Sequence, residues 1–172
     1  MSTFARVMFT YGASLLAGGL LVAASAVTGA DSDFITFAAK GGLAEVELGQ
    51  MAVHKASDAG VKEFANRMIR DHSKANAALS ELASSKGVTL PAGKGLSNDT
   101  SALHLKMLSG KQFDSAYVKM MVDDHKEDVA EFEKAAGQAA DPDVKHFASK
   151  TLPTLKSHLS MIEKIQATLD AK

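Results

Sequence analysis

The chain has 172 residues, 46% of them apolar, and 19 Lys and Arg nearly balance 20 Asp and Glu. That length suits one domain behind a leader, with ample material for a core. No basic stripe is present, which argues against nucleic acid as a partner. The absence of cysteine excludes a disulfide framework, a zinc–thiolate site, a thiol nucleophile and a lipid-modified N-terminal cysteine.

Residues 1–26 read as a targeting segment. Arg6 is the only charged side chain before Asp31, an apolar run extends from Val7 to Val27, and Ala24-Ser25-Ala26 offers a small-x-small cleavage site. The run is longer than a usual signal core, so the segment is either a cleaved signal peptide or a retained membrane anchor. Both readings put the remaining chain in the periplasm or cell envelope. The membrane is a partner only if the leader is kept.

From Asp31 onward the apolar period is near 3.6 and no strand is predicted, so residues 31–170 are expected to form an all-α domain. The first helix is predicted over Ser32–Lys55, with a stripe of Phe34, Phe37, Ala38, Gly41, Ala44, Leu48 and Ala52. Gly41 and Gly42 would permit close approach of a neighbour. The second is predicted over Asp58–Lys86, with Asp58 as N-cap and Gly87 as the stop. A crossover loop from Gly87 to Thr100 follows, then a short helix over Ser101–Leu108. Two long helices complete the chain, over Lys111–Ala136 and Asp141–Leu169. Asp141 caps the last one, Pro142 occupies its first turn, and Pro153 is expected to kink it.

The chain repeats itself. Asp58-Ala-Gly-Val-Lys-Glu-Phe-Ala matches Asp141-Pro-Asp-Val-Lys-His-Phe-Ala at an offset of 83, which also pairs Phe34 with Tyr117 and Glu45 with Asp128. Two αα-hairpins joined by a crossover make a four-helix bundle.

Helical geometry selects an inward-facing polar set. His72 and His125 fall in a recurring phrase, Met68-Ile-Arg-Asp-His72 and Met121-Val-Asp-Asp-His125, each on the apolar face of its helix. Asp128 shares the face of His125, His158 lies within the stripe of the last helix, and Glu45 lies near that of the first. Glu47, Gln50 and His54 lie off the stripe, His146 points outward, and His104 is in the connection. Counted from the hairpin turns at ~1.5 Å per residue, Glu45, His72, His125, Asp128 and His158 fall within about one helical turn of one layer.

Imidazole with carboxylate suits a transition metal such as iron, manganese, zinc or copper, and bundles build such sites on facing helices. Asp71 and Asp124, beside the histidines, are candidates to orient the rings. Met68, Met121 and Met161 lie three or four residues from a histidine, and thioether beside imidazole in an exported protein favours copper. The rival reading is a polar layer satisfied by its own hydrogen bonds, with the methionines as core filler, in a structural or partner-binding module. Ile69, Val122 and Leu155 stand where ferritin-type motifs place Glu three residues before a ligand His, so a conventional di-iron carboxylate centre is not expected. Oligomeric state is open, a homo-oligomer included.

Gly41-Gly-Leu-Ala-Glu-Val-Glu-Leu-Gly49, Met68-Ile-Arg-Asp-His72, Phe113-Asp-Ser-Ala-Tyr-Val118, Asp141-Pro-Asp-Val-Lys145 and Thr151-Leu-Pro-Thr-Leu155 with His158 resemble bacterial envelope proteins of domain-of-unknown-function family 4142. The resemblance covers about Phe34 to Leu169. It implies an exported ferritin-like bundle, in a family often described as outer-membrane or stress-associated and without an assigned activity. It supplies no functional residues to carry over, so the candidate site rests on helical geometry.

Overall fold

The computed structural model of the chain describes residues 27–91 and 100–172. The predicted leader, residues 1–26, and most of the crossover loop lie outside the described residues. Five helices follow in order: α1 (Gly29–Lys55), α2 (Ala59–Lys86), α3 (Thr100–Met107), α4 (Gly110–Gln138) and α5 (Pro142–Asp170). The fold is an all-α bundle.

Local chemistry accounts for the helix ends. Thr28 accepts a hydrogen bond from the Asp31 N–H, which starts α1 three residues before the predicted Ser32. Asp58 accepts from Gly60 and Val61, and Asp141 from Asp143 and Val144, each satisfying N–H groups that a helix start leaves open. Gly87 ends α2 at φ 67°, a left-handed conformation that glycine adopts without steric cost. Pro153 lies inside α5 without ending it.

α1 packs mainly on α2 and α4 on α5; the two hairpins meet where α2 lies beside α5 and α1 beside α4. The polar contacts fix directions. The start of α1 touches the α4–α5 turn, the end of α2 touches the start of α5, and the α1–α2 turn touches the start of α4. Every neighbouring pair among the four long helices is therefore antiparallel, and the long connection joins the parallel helices α2 and α4. That is the crossover topology predicted from the repeat.

The repeat continues into the ends of the bundle. Asp114 of α4 accepts from the Ser57 and Asp58 N–H groups and from the Ser57 hydroxyl. Asp31 of α1, 83 positions earlier, accepts from the Ala140 and Asp141 N–H groups. Each hairpin thus holds the other's turn. Lysines repeat the pattern: Lys86 pairs with Asp141 at 2.7 Å and Lys172 with Asp58 at 2.8 Å.

Two apolar clusters fill the interior. One, near the α1–α2 turn, includes Leu48, Phe64, Met68, Tyr117 and Met121, with Ala102 and Leu105 of α3. The other, toward the α4–α5 turn, includes Ile35, Leu79, Phe132, Val144 and Leu155. The buried face of α1 keeps Phe34, Ala38, Leu48 and Ala52 of the expected stripe and widens to one side of it. Ile35, Ala39 and Gly42 are buried, whereas Phe37, Gly41 and Ala44 are half-exposed, because α1 must face both α2 and α4. The tightest approach is at Gly42, where an added Cβ would run into the side-chain amide oxygen of Asn76; at Gly49 it would stand 3.0 Å from the Ala65 carbonyl oxygen and 3.0 Å from Ile69, and at Gly41 there is room.

Candidate metal centre

The two clusters are separated by a buried polar layer. Glu45, His72, His125, Asp128 and His158 are all at most 8% exposed, and four helices supply them: α1, α2, α4 twice and α5. They fall together because each sits near mid-helix on an inward face, and the end contacts set the helices level. The three imidazoles form a triangle with ring centroids 5.4, 5.5 and 5.8 Å apart. Phe64 meets His125 and His158 edge-on from the apolar side.

Each ring has one nitrogen held. His125 Nδ1 lies 2.9 Å from the Met121 carbonyl oxygen. A carbonyl only accepts, so Nδ1 carries the proton and Nε2 keeps its lone pair. His72 Nδ1 is 2.7 Å from Glu45 Oε2, and His158 Nε2 is 3.0 Å from Asp71 Oδ2; donation to these carboxylates leaves His72 Nε2 and His158 Nδ1 with lone pairs. Those three nitrogens are buried without a hydrogen-bond partner. One nitrogen from each ring lies within 4.8 Å of one from each of the other two, hence within about 2.8 Å of a common centre. A cation at ~2.0–2.1 Å from each needs inward ring movements below about 1 Å. Glu45 Oε1, also without a hydrogen-bond partner, stands 3.4 Å from His125 Nε2. With Glu45 ionised, two lone-pair atoms face each other there, an arrangement that a cation between them would relieve.

The electrostatics agree with neutral rings. Burial pushes His125 and His158 down to about 4 and lowers His72 as well. Burial pushes Glu45 up to about 7, against the pull of His125. Burial and the neighbouring Glu45 push Asp128 up to about 8. Asp71 is held low: burial would raise it, but the contacts with His158 and Arg70 outweigh that. Tyr117 is raised, first by burial and then by Glu45 and Asp124.

The layer thus contains all five residues expected there. The flanking aspartates depart from the simplest expectation. Asp71 reaches across to His158 of α5 and not to its neighbour His72, because successive helical residues point about 100° apart. Asp124 is half-buried and acts on Glu45 and Asp128 through its charge. His54, His104 and His146 are exposed. Two contributors went unnoticed in the sequence: Phe64, which walls the triangle, and Tyr117, whose buried hydroxyl has no hydrogen-bond partner. The repeat, which pairs Tyr117 with Phe34, marked the position as core and gave no hint of its hydroxyl.

A groove of about 740 Å³ between α1 and α4 reaches the layer at Glu45 and Asp128. A shallower one of about 330 Å³ between α2 and α5 exposes the Asp71–His158 pair beside Arg67 and Arg70. Among the described residues no helix is long and apolar enough to cross a membrane.

Solved structures share the fold. A DUF305 fragment from Deinococcus radiodurans superposes with a TM-score of 0.71 at 14% identity, covering 83% of this chain and 98% of that one. A DUF305 protein from Streptomyces coelicolor gives 0.71 at 17%, covering 83% and 95%. CopM in its Cu(I)-bound form gives 0.67 at 15%, covering 80% and 96%. No curated protein matches the sequence. The pattern of domain-of-unknown-function family DUF4142 matches residues 20–165, nearly the whole chain, and the protein belongs to that family.

Proposed function

We propose that the protein binds a single transition-metal ion at the midplane of the bundle, through His72 Nε2, His125 Nε2 and His158 Nδ1, with Glu45 Oε1 as the adjacent fourth donor. The observation that carries this reading is a buried triangle of three imidazoles, each with one unpartnered nitrogen and the opposite nitrogen held, in which one nitrogen of each ring lies within 4.8 Å of the others. Neutral imidazoles oriented by a carboxylate or a carbonyl are the state in which histidine ligates metals. Glu45, Asp71 and the Met121 carbonyl orient the rings; Asp124 adds negative charge that favours a cation, and Asp128 adds its own once a bound cation has displaced its proton.

Imidazole donors suit zinc, copper, iron and nickel. Copper is the first ion to test, because CopM, a protein of the same fold, is known with Cu(I) and Cu(II) bound. The role that follows is metal handling or stress protection, in the periplasm or envelope if residues 1–26 direct export. The rival, a metal-free polar layer in a structural or partner-binding module, requires those three nitrogens to be satisfied without a metal.

Elemental analysis of untagged protein, with copper, zinc, iron and manganese offered in turn, tests the site. The expected result is about one equivalent of bound metal in the wild type and none in His72→Ala/His125→Ala, as the loss of two of three imidazole donors requires. Unchanged metal content in a folded double variant would reject it.

A further inference from the structure

The two grooves that reach the layer differ in charge. The α2–α5 groove carries Arg67 and Arg70. The α1–α4 groove carries a descending series of carboxylates: Glu127 and Asp123 are exposed, Asp124 is half-buried, and Asp128 and Glu45 are buried. Lys119 pairs with Asp123 at the surface, and Lys40 is the other cation along the walls. The inner end of the series is not a solvated acidic face. Glu45 is 3% exposed and lines the groove, and its Oε1, without a hydrogen-bond partner, lies 3.4 Å from the unpartnered His125 Nε2. There is room in the passage at Gly41, where an added Cβ would be 3.7 Å from Asp128 Oδ1.

We infer that the groove between α1 and α4 is the route by which a free, hydrated metal cation reaches the histidine triangle, with Glu127 at its mouth, Asp124 and Asp128 along it and Glu45 passing the ion to His125. This rests on the proposed metal site and adds its direction of loading. A cleft lined by one sign of charge concentrates counter-ions and speeds their capture, an effect that salt suppresses. The arginines make the opposite groove a poor entrance for a cation.

The test is stopped-flow loading of metal-free full-length protein with aqueous Cu2+, followed by absorption, at low and high salt. Amplitude reports the site and rate reports the route. Glu127→Lys should slow loading several-fold at low salt and less at high salt, and Lys40→Glu should accelerate it, both with the wild-type amplitude. Gly41→Leu, which fills the groove without changing charge, should slow loading at every salt concentration. Arg67→Glu should leave the rate unchanged. If Arg67→Glu accelerates loading while the three groove variants behave as wild type, the cation enters between α2 and α5 and this inference fails, with the metal site intact. If wild-type protein gives no Cu2+ signal and no metal by elemental analysis, the site itself fails and the route with it.

Discussion

At the two ends of the bundle, buried carboxylates find all the donors they need. Asp114 gathers the N–H groups of Ser57 and Asp58 and the Ser57 hydroxyl; Asp31 gathers those of Ala140 and Asp141. In the middle, three imidazoles are equally buried, yet each keeps a nitrogen without a partner. The repeat separates the regions in the same way. Asp31 and Asp114 are equivalent under the 83-residue offset, as are Glu45 and Asp128, but His72, His125 and His158 fall on Leu155, Gly42 and Ala75. The symmetric aspartates at the ends build the scaffold, whereas in the middle the symmetric pair Glu45 and Asp128 is joined by three histidines that break the symmetry. Satisfied polar burial stabilises a fold; unsatisfied polar burial costs stability and persists where a ligand uses it.

This contrast can be broken or sharpened by substitution. The largest effect is expected at the ends. Asp114→Ala strands two backbone donors and a hydroxyl and should lower unfolding free energy by about 3 kcal/mol in urea titrations. Asp31→Ala, with two donors stranded, should cost about 2 kcal/mol. If both are neutral, the end contacts do not hold the hairpins together. The middle should behave oppositely. His125→Leu removes an orphaned nitrogen from the buried layer, so the metal-free variant should match the wild type or exceed it by about 1 kcal/mol, while metal binding is lost. A loss above about 2 kcal/mol would mean the ring is structural.

The smallest effect concerns pH. The hydrogen bond from Lys172 holds Asp58 below the usual carboxylate range. Burial would raise Asp141, but Lys86 and the capped N–H groups hold it low. A depressed carboxylate contributes stability that is present above its unfolded value and lost as pH falls through its folded value. Their contribution should therefore be flat from neutral pH to about 5 and decline below about 4. In Lys86→Ala/Lys172→Ala the decline should begin at the same pH but be smaller and be complete at a higher pH, as read from urea midpoints across an acid series. An unchanged acid limb would show that the lysines do not set these ionisations.

Much of this was legible in the sequence because helices impose a period. The repeat around Asp58 and Asp141 gave the two hairpins, and counting from those residues placed Glu45, His72, His125, Asp128 and His158 at one depth. The same offset would have exposed Asp31 and Asp114, had it been followed to the chain ends; both look like ordinary helix-start acids until the opposing turn is in view. The destination of Asp71 was not legible, because it depends on the rotation of α5 against α2. Nor was the state of each ring nitrogen. Which atom is held and which is left over is decided by the Met121 carbonyl, Glu45 and Asp71, one of them main chain and two of them on the histidines' neighbours.

The triangle draws one corner from the first hairpin, His72, and two from the second, His125 and His158. It is complete only while the hairpins are docked. Whatever grips all three corners also clasps the halves of the molecule, so affinity at the centre and cohesion between the hairpins are the same free energy measured from two sides. A ligand that left would unfasten the interface as well as vacate a pocket, and a strain that parted α2 from α5 would release the ligand.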